Sequence, residues 1–268
     1  MYKIYRLLAG RLCFLLPLAC LGLFTGCAEN LEPEPDKPTT LLLKTARIGN
    51  EPTREYVFNR DGKLTRILTQ GDTTLHRVEY FYDAQGRFSI QKDSPYTIVG
   101  EYNAQSQLEK HVVEMSIGGV SEFHFYQHTY NTQGQLIETT YHSEQEPAYV
   151  QYRFKYFYEK GVNTRIEKTM YAGDDAYIED IYITYDSKKQ PTPPMPLMGV
   201  TPLFRETPLI EGNAGNVLDY LIVNRSDGSK NRTSYKITYV YNDQGYPIEA
   251  LKESGYYTAK TTYTYTYQ

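Results

Sequence analysis

His128-Thr129-Tyr130-Asn131-Thr132-Gln133-Gly134-Gln135-Leu136 is the stretch that decides the fold. Asn suits the first position of a type I turn, and Gly three residues later supplies the positive φ that lets a G1 bulge rejoin the strands. The stretch therefore predicts a tight hairpin. The same unit runs from Tyr56 to Leu64 around Asn59 and Gly62, from Tyr80 to Phe88 around Asp83 and Gly86, and from Tyr239 to Pro247 around Asn242 and Gly245. Degenerate copies run Glu101 to Leu108, Tyr156 to Gly161 and Ile183 to Lys188. Turn positions 59, 83, 103, 131, 159 and 186 are 24, 20, 28, 28 and 27 residues apart. A repeat of that length holds two strands and two turns and leaves no room for a crossover helix.

Alternation between the turns agrees. Val150, Tyr152, Phe154, Tyr156 and Tyr158 are apolar or aromatic and are separated by Gln151, Arg153, Lys155 and Phe157. Tyr235, Ile237, Tyr239 and Tyr241 likewise alternate with Ser234, Lys236 and Thr238, so one sheet face is an aromatic ladder. Tyrosine is the main building block, at 28 residues against 10 Phe and no Trp; it packs well in strands and tolerates a wet edge. The expected fold is all-β: an antiparallel meander of tight hairpins, either a curved open sheet or barrel-like, spanning residues 41–268.

One segment breaks the pattern. Residues 190–216 begin Gln190-Pro191-Thr192-Pro193-Pro194, and prolines forbid a central strand. Met195, Leu197, Met198, Leu203 and Phe204 give this Pro-rich insertion apolar content, which suits a plug or lid over a binding face, or a long crossover between β segments covering one end of the core.

The amino terminus reads as an export signal. Lys3, Arg6 and Arg11 form a basic region, and Leu12 to Phe24 an apolar one broken by Pro17 and shorter than the roughly 20 residues that span a bilayer. The run Leu23-Phe24-Thr25-Gly26-Cys27 resembles the lipobox of bacterial lipoproteins. That resemblance implies cleavage after Gly26, a diacylglyceryl thioether on Cys27, and an outer-membrane lipoprotein on the periplasmic or surface-exposed side. Residues 27–40, rich in Pro and acid, read as a tether reaching up to roughly 40 Å if extended as polyproline II. Cys13 and Cys20 leave with the signal, so no disulfide and no thiolate chemistry is expected in the mature chain.

The hairpin units resemble those of YD-repeat (RHS-like) proteins. The layout from about residue 50 to 268 is similar to that of an uncharacterised family of envelope lipoproteins of gut anaerobes with a porin-like β domain. The units are fewer than in toxin-encapsulating YD shells, and encapsulation is not implied.

Removing residues 1–26 takes away three of the 28 basic residues and none of the 32 acidic ones, leaving 25 − 32 = −7. That charge, with no basic stripe, excludes phosphate-backbone binding and hence nucleic acid as a partner. Mean hydropathy of −0.56 describes a polar body held to the membrane by lipid.

No catalytic constellation is visible, and no cofactor or metal is implied. His124 and His128 have a helical metal spacing but fall in a strand pattern, which puts them about 13 Å apart. Asp174-Asp175 and Glu179-Asp180 offer paired carboxylates, although Gly173-Asp174 reads first as a turn, as does Asp227-Gly228. Two classes remain. One is a non-enzymatic binding or structural module with a glycan or protein ligand; the other is a glycan-directed envelope hydrolase whose carboxylates only the fold brings together.

Overall fold

The computed structural model describes residues 41–70, 75–145, 149–173, 175–190, 215–254 and 260–268. Cys27, Met195, Leu197, Met198, Leu203 and Phe204 lie outside them. The chain enters at β1 (Leu43–Ile48) and continues through β2 (Arg54–Phe58), β3 (Leu64–Gln70), β4 (Leu75–Tyr82), β5 (Phe88–Asp93), β6 (Tyr96–Tyr102) and β7 (Leu108–Ile117). Then come β8 (Val120–Tyr130), β9 (Leu136–Ser143), β10 (Tyr152–Glu159), β11 (Val162–Ala172) and β12 (Asp175–Tyr185). β13 (Val217–Asn224), β14 (Tyr235–Tyr241), β15 (Pro247–Ser254) and β16 (Lys260–Tyr267) complete the described elements. Every strand pairs antiparallel with its sequence neighbours, and β16 returns to β1 with Leu43 opposite Tyr267 and Ile48 opposite Tyr263. The meander is thus a closed barrel rather than an open sheet. Closure pairs the two edge strands that an open sheet would leave exposed.

Five of the expected turns share one chemistry. Asn59, Asp83, Asn103, Asn131 and Asn242 each accept, on Oδ1, the backbone N–H groups two and four residues on, at 2.8–3.1 Å. Gly134 and Gly245 take φ of 80° and 82° at the fourth position, and in the degenerate copy Ser106 takes 62°. The residue before the Asx bulges against the residue after the turn, as with Tyr130 opposite Leu136. The copy at Glu159 departs from the unit. Its side chain is too long for the Asx bond, and Lys160 (φ 51°) and Gly161 (φ 83°) form a two-residue hairpin turn instead.

The Pro-rich insertion is not a crossover. β12 and β13 are hydrogen-bonded neighbours, Ile181 opposite Ile222, so the segment is a lengthened hairpin connection. Its base keeps the turn bonds of an ordinary unit: Asp186 Oδ1 accepts the N–H of Lys188 (2.9 Å) and that of Asn216 (2.8 Å). Asn216 stands where the fifth turn residue stands elsewhere, with the insertion spliced in between.

Tyrosines tie the units together. Tyr82, Tyr130, Tyr158 and Tyr267 donate their hydroxyls to the backbone carbonyls of Leu64, Leu108, Leu136 and Pro247 at 2.6–3.0 Å. Each acceptor is the first strand residue after the preceding Asx turn, so the ring fills the interior while its polar tip satisfies a carbonyl of the unit before it. Alternation sends Tyr56, Ile67, Val78, Tyr80, Ile98, Val113 and Tyr126 into one inward cluster, and Leu136, Phe154, Tyr156, Ile166, Ile181, Tyr220 and Ile222 into another.

The outer wall is charged. Ion pairs cross it at Lys110–Glu101 (3.5 Å), Arg153–Glu138 and Lys155–Glu167 (3.8 Å each), and Arg165–Asp180 (3.1 Å). Arg225 bridges Glu167 (2.8 Å) and Asp180 (2.6 Å). A lipid-facing barrel instead presents an apolar belt about 25 Å tall.

Candidate functional site

The inner wall is not uniform. Along β7 to β12 it is packed solid: His111, Val113, Leu136, Tyr141 and Ile166 have no exposed surface. A round barrel of sixteen strands leaves an aqueous channel, and residues lining such a channel are wetted, so this stretch is filled by its own side chains.

Within that filling lies a line of polar groups. Tyr156 donates to Thr139 Oγ1 (3.2 Å), Thr139 meets His128 Nδ1 (2.9 Å), and His128 Nε2 meets His111 Nδ1 (2.9 Å). With the tyrosine as first donor, the hydroxyl of Thr139 donates to His128, whose Nε2–H donates to His111. That order leaves Nε2 of His111 as a buried donor with no partner among the described residues. Its ring stacks on Tyr126 at 4.3 Å. Burial pushes His128 down to about 4 and His111 well below its ordinary value, the charge of His128 adding to the effect on His111. Both imidazoles are neutral at pH 7. His124, two positions from Tyr126 on the same face, bonds Tyr141 Oη at 2.8 Å instead of sharing a site with His128.

A second buried group sits further round. Lys168 and Glu179 face each other across β11 and β12 with 5% and 3% of their side chains exposed, Nζ to Oε2 at 3.3 Å. Asn231, in the connection from β13 to β14, donates Nδ2 to Glu179 Oε1 at 2.6 Å.

The stretch β14 to β16 is a half-buried tyrosine wall carrying Tyr235, Tyr239, Tyr241, Tyr263, Tyr265 and Tyr267. Burial pushes Tyr235 up to about 12, and raises Tyr239 and Tyr265. Lys252 lies among them with Nζ 3.9 Å from the centre of the Tyr235 ring, and its own burial lowers its pKa. This ladder is the aromatic face expected from the alternation of Tyr235 to Tyr241, and the structure turns it inward. It can stack rings and offer one cation, which suits binding.

The structure separates the candidate acid pair. Glu179 points inward to Lys168 and Asn231, while Asp180 points outward to Arg165 and Arg225, so adjacent positions on one strand put the two carboxylates on opposite faces. Arg225 and Arg165 hold Asp180 below its ordinary value. Asp175 opens β12 after the turn at Gly173, and Asp227 accepts the N–H of Ser229 in a turn, at 2.9 Å. His76 pairs with Asp93 at 2.9 Å. Among the described residues no group of three or more His, Cys, Asp or Glu side chains is placed to hold a metal ion. The His111–His128 contact and the Lys168–Glu179–Asn231 group escaped the sequence. Each joins residues far apart in the chain, so no local pattern marks it.

Fold and interior together define a closed, antiparallel up-and-down barrel built on Asx-x-x-Gly hairpins, filled along β7 to β12 and tyrosine-lined along β14 to β16. No family model and no curated protein matches the chain. Among solved structures it is similar to a porin-like protein from Bacteroides uniformis ATCC 8492, with a TM-score of 0.52 and 12% identity over 85% of this chain and 96% of that one. At that identity the likeness shows the fold. Weaker matches are to a TcdB2–TccC3–Cdc42 assembly (TM-score 0.30, 11% identity, 79% of this chain and 12% of that one) and to the Photorhabdus luminescens Tc holotoxin pore (0.24, 9%, 75% and 14%). Neither bears on the fold at those scores.

Proposed function

We propose that this chain is a lipid-anchored envelope protein whose barrel stands in water beside the bilayer and acts as a non-enzymatic binding or structural module. The charged, ion-paired outer wall carries this reading, because a belt of Lys, Arg, Glu and Asp is costly in lipid. The export signal and the lipobox-like run ending at Cys27 supply the anchor, and Glu29, Glu32 and the prolines after it supply the tether. The Asx-x-x-Gly turns and their tyrosine-to-carbonyl bonds support kinship with YD-repeat hairpins. The half-buried tyrosine wall offers stacking surface to a glycan or to an aromatic side chain of a protein ligand.

The chain enters β1 where Leu42 pairs with Gln268 and Leu41 N–H meets Tyr246 Oη (3.3 Å). Lys189, at the foot of the insertion, covers the same Tyr246 ring at 4.8 Å. Leu41 and Lys189 therefore lie together at one rim of the barrel.

Metabolic labelling with a fatty acid and fractionation of Cys27→Ser test the proposal. Label in wild type, with release of the serine variant from the membrane, is the expected result. An unlabelled wild type whose serine variant stays in the membrane fraction overturns it.

A further inference from the structure

Buried lysine and glutamate in a barrel wall need a reason, since desolvating both charges offsets their attraction. The geometry around Asn231 points to one: we propose that Lys168 and Asn231 join in an intramolecular amide, with Glu179 as the catalytic residue. The two oxygens of Glu179 hold the two reacting groups, Lys168 Nζ on Oε2 at 3.3 Å and Asn231 Nδ2 on Oε1 at 2.6 Å. The carbonyl oxygen of Asn231 accepts the backbone N–H and the hydroxyl of Thr233, each at 3.0 Å. A nucleophile, a proton carrier touching both nucleophile and leaving group, and two donors on the oxygen that gains charge are the components of acyl transfer.

The steps balance. Glu179 takes a proton from the Lys168 ammonium, and the freed lone pair attacks Cγ of Asn231. The Cγ–Oδ1 π pair moves onto Oδ1, where the two Thr233 donors hold it. Glu179 passes its proton to Nδ2, the Cγ–Nδ2 bond breaks as the carbonyl reforms, and the nitrogen leaves as ammonia, which carries off the remaining proton as ammonium. One C–N bond forms and one breaks; nothing is oxidised or reduced. Asn216 also sets its amide on a carboxylate, that of Asp186 at 3.3 Å, but no buried lysine shares that group among the described residues.

The cross-link has a mechanical place. β13 and β14 pair through Asp219–Lys236 and Tyr220–Tyr235 alone, whereas β11 and β12 pair from Arg165–Tyr182 to Ala172–Asp175. Joining β11 to the connection between β13 and β14 spans that short seam and closes a covalent loop around the insertion.

Tryptic peptide mass mapping of the full chain, purified in detergent, tests the proposal. Trypsin is expected to leave Lys168 uncut and to yield Ile166 to Lys188 carrying the Asn231-Arg232 dipeptide on Lys168, one ammonia lighter than the sum of the two peptides. Lys168→Arg, Asn231→Ala and Glu179→Gln should each abolish the branched peptide. Separate, full-mass peptides from wild type overturn the proposal, whatever the variants do. Loss of ammonia at Asn231 without joined peptides indicates a succinimide and overturns it equally. A branched peptide that persists in Glu179→Gln removes the catalytic role of that carboxylate.

Discussion

Tyr130 fills the interior with its ring and spends its hydroxyl on the carbonyl of Leu108 at 3.0 Å. Tyr130→Phe keeps the ring and strands that carbonyl, so it should lower stability by about 1 kcal/mol in urea unfolding. Gly245 acts through the backbone. A Cβ there meets nothing within 4 Å, yet φ is +82°. Gly245→Val should cost about 1 to 3 kcal/mol through strain alone, whereas Lys236→Ala, exposed on the outer face of β14, should cost under about 0.5. The buried imidazole line gives a pH test. His128 titrates near 4 when folded and near 6.5 when unfolded, so the unfolded state binds the extra proton; the stability in question is whole above pH 6.5 and falls as pH drops toward 4. Over that window wild type should lose about 3 kcal/mol more than His128→Gln in parallel urea titrations. His111, also depressed, adds in the same direction.

At the scale of elements, the hairpins were legible before any coordinates. An Asx whose Oδ1 takes the N–H groups two and four residues on, followed by a residue in left-handed geometry, is a local device that sequence spacing reports directly. The turn at Lys160-Gly161 was legible only as a hairpin, because a two-residue turn also satisfies Glu159 and Val162. The relation of β12 to β13 was not legible, since the turn that joins them is interrupted between Lys188 and Asn216 and the hydrogen bonds rejoin across the gap. That observation makes a prediction for the element. Replacing residues 187–215 with Ala-Gln-Gly, so that Asp186 and Asn216 close an ordinary unit, should leave a folded barrel by circular dichroism. The shorter loop should raise stability by up to about 2 kcal/mol through loop-closure entropy. Failure to fold would assign the insertion to the core.

For the whole molecule, closure is the decisive event. β16 pairs with β1 over Leu43–Tyr267 to Ile48–Tyr263, and deleting residues 260–268 should expose the edges of β1 and β15 and give an aggregating chain in place of a monomeric barrel on size exclusion. By itself, the sequence determined the all-β class, the hairpin boundaries at Asn59, Asp83, Asn103, Asn131 and Asn242, and the single face shared by Tyr235, Tyr239 and Tyr241. These follow from period-two alternation and from side chains that bond within four residues of themselves. The structure separated Glu179 from Asp180, which the sequence offered as a pair, because neighbours on a strand face opposite ways. Only the tertiary structure decided that the meander closes, that His111 meets His128, and that Lys168, Glu179 and Asn231 converge. Closure depends on twist and stagger accumulated over sixteen strands, and a side chain that bonds across 17 or 52 residues leaves no local signature in the chain.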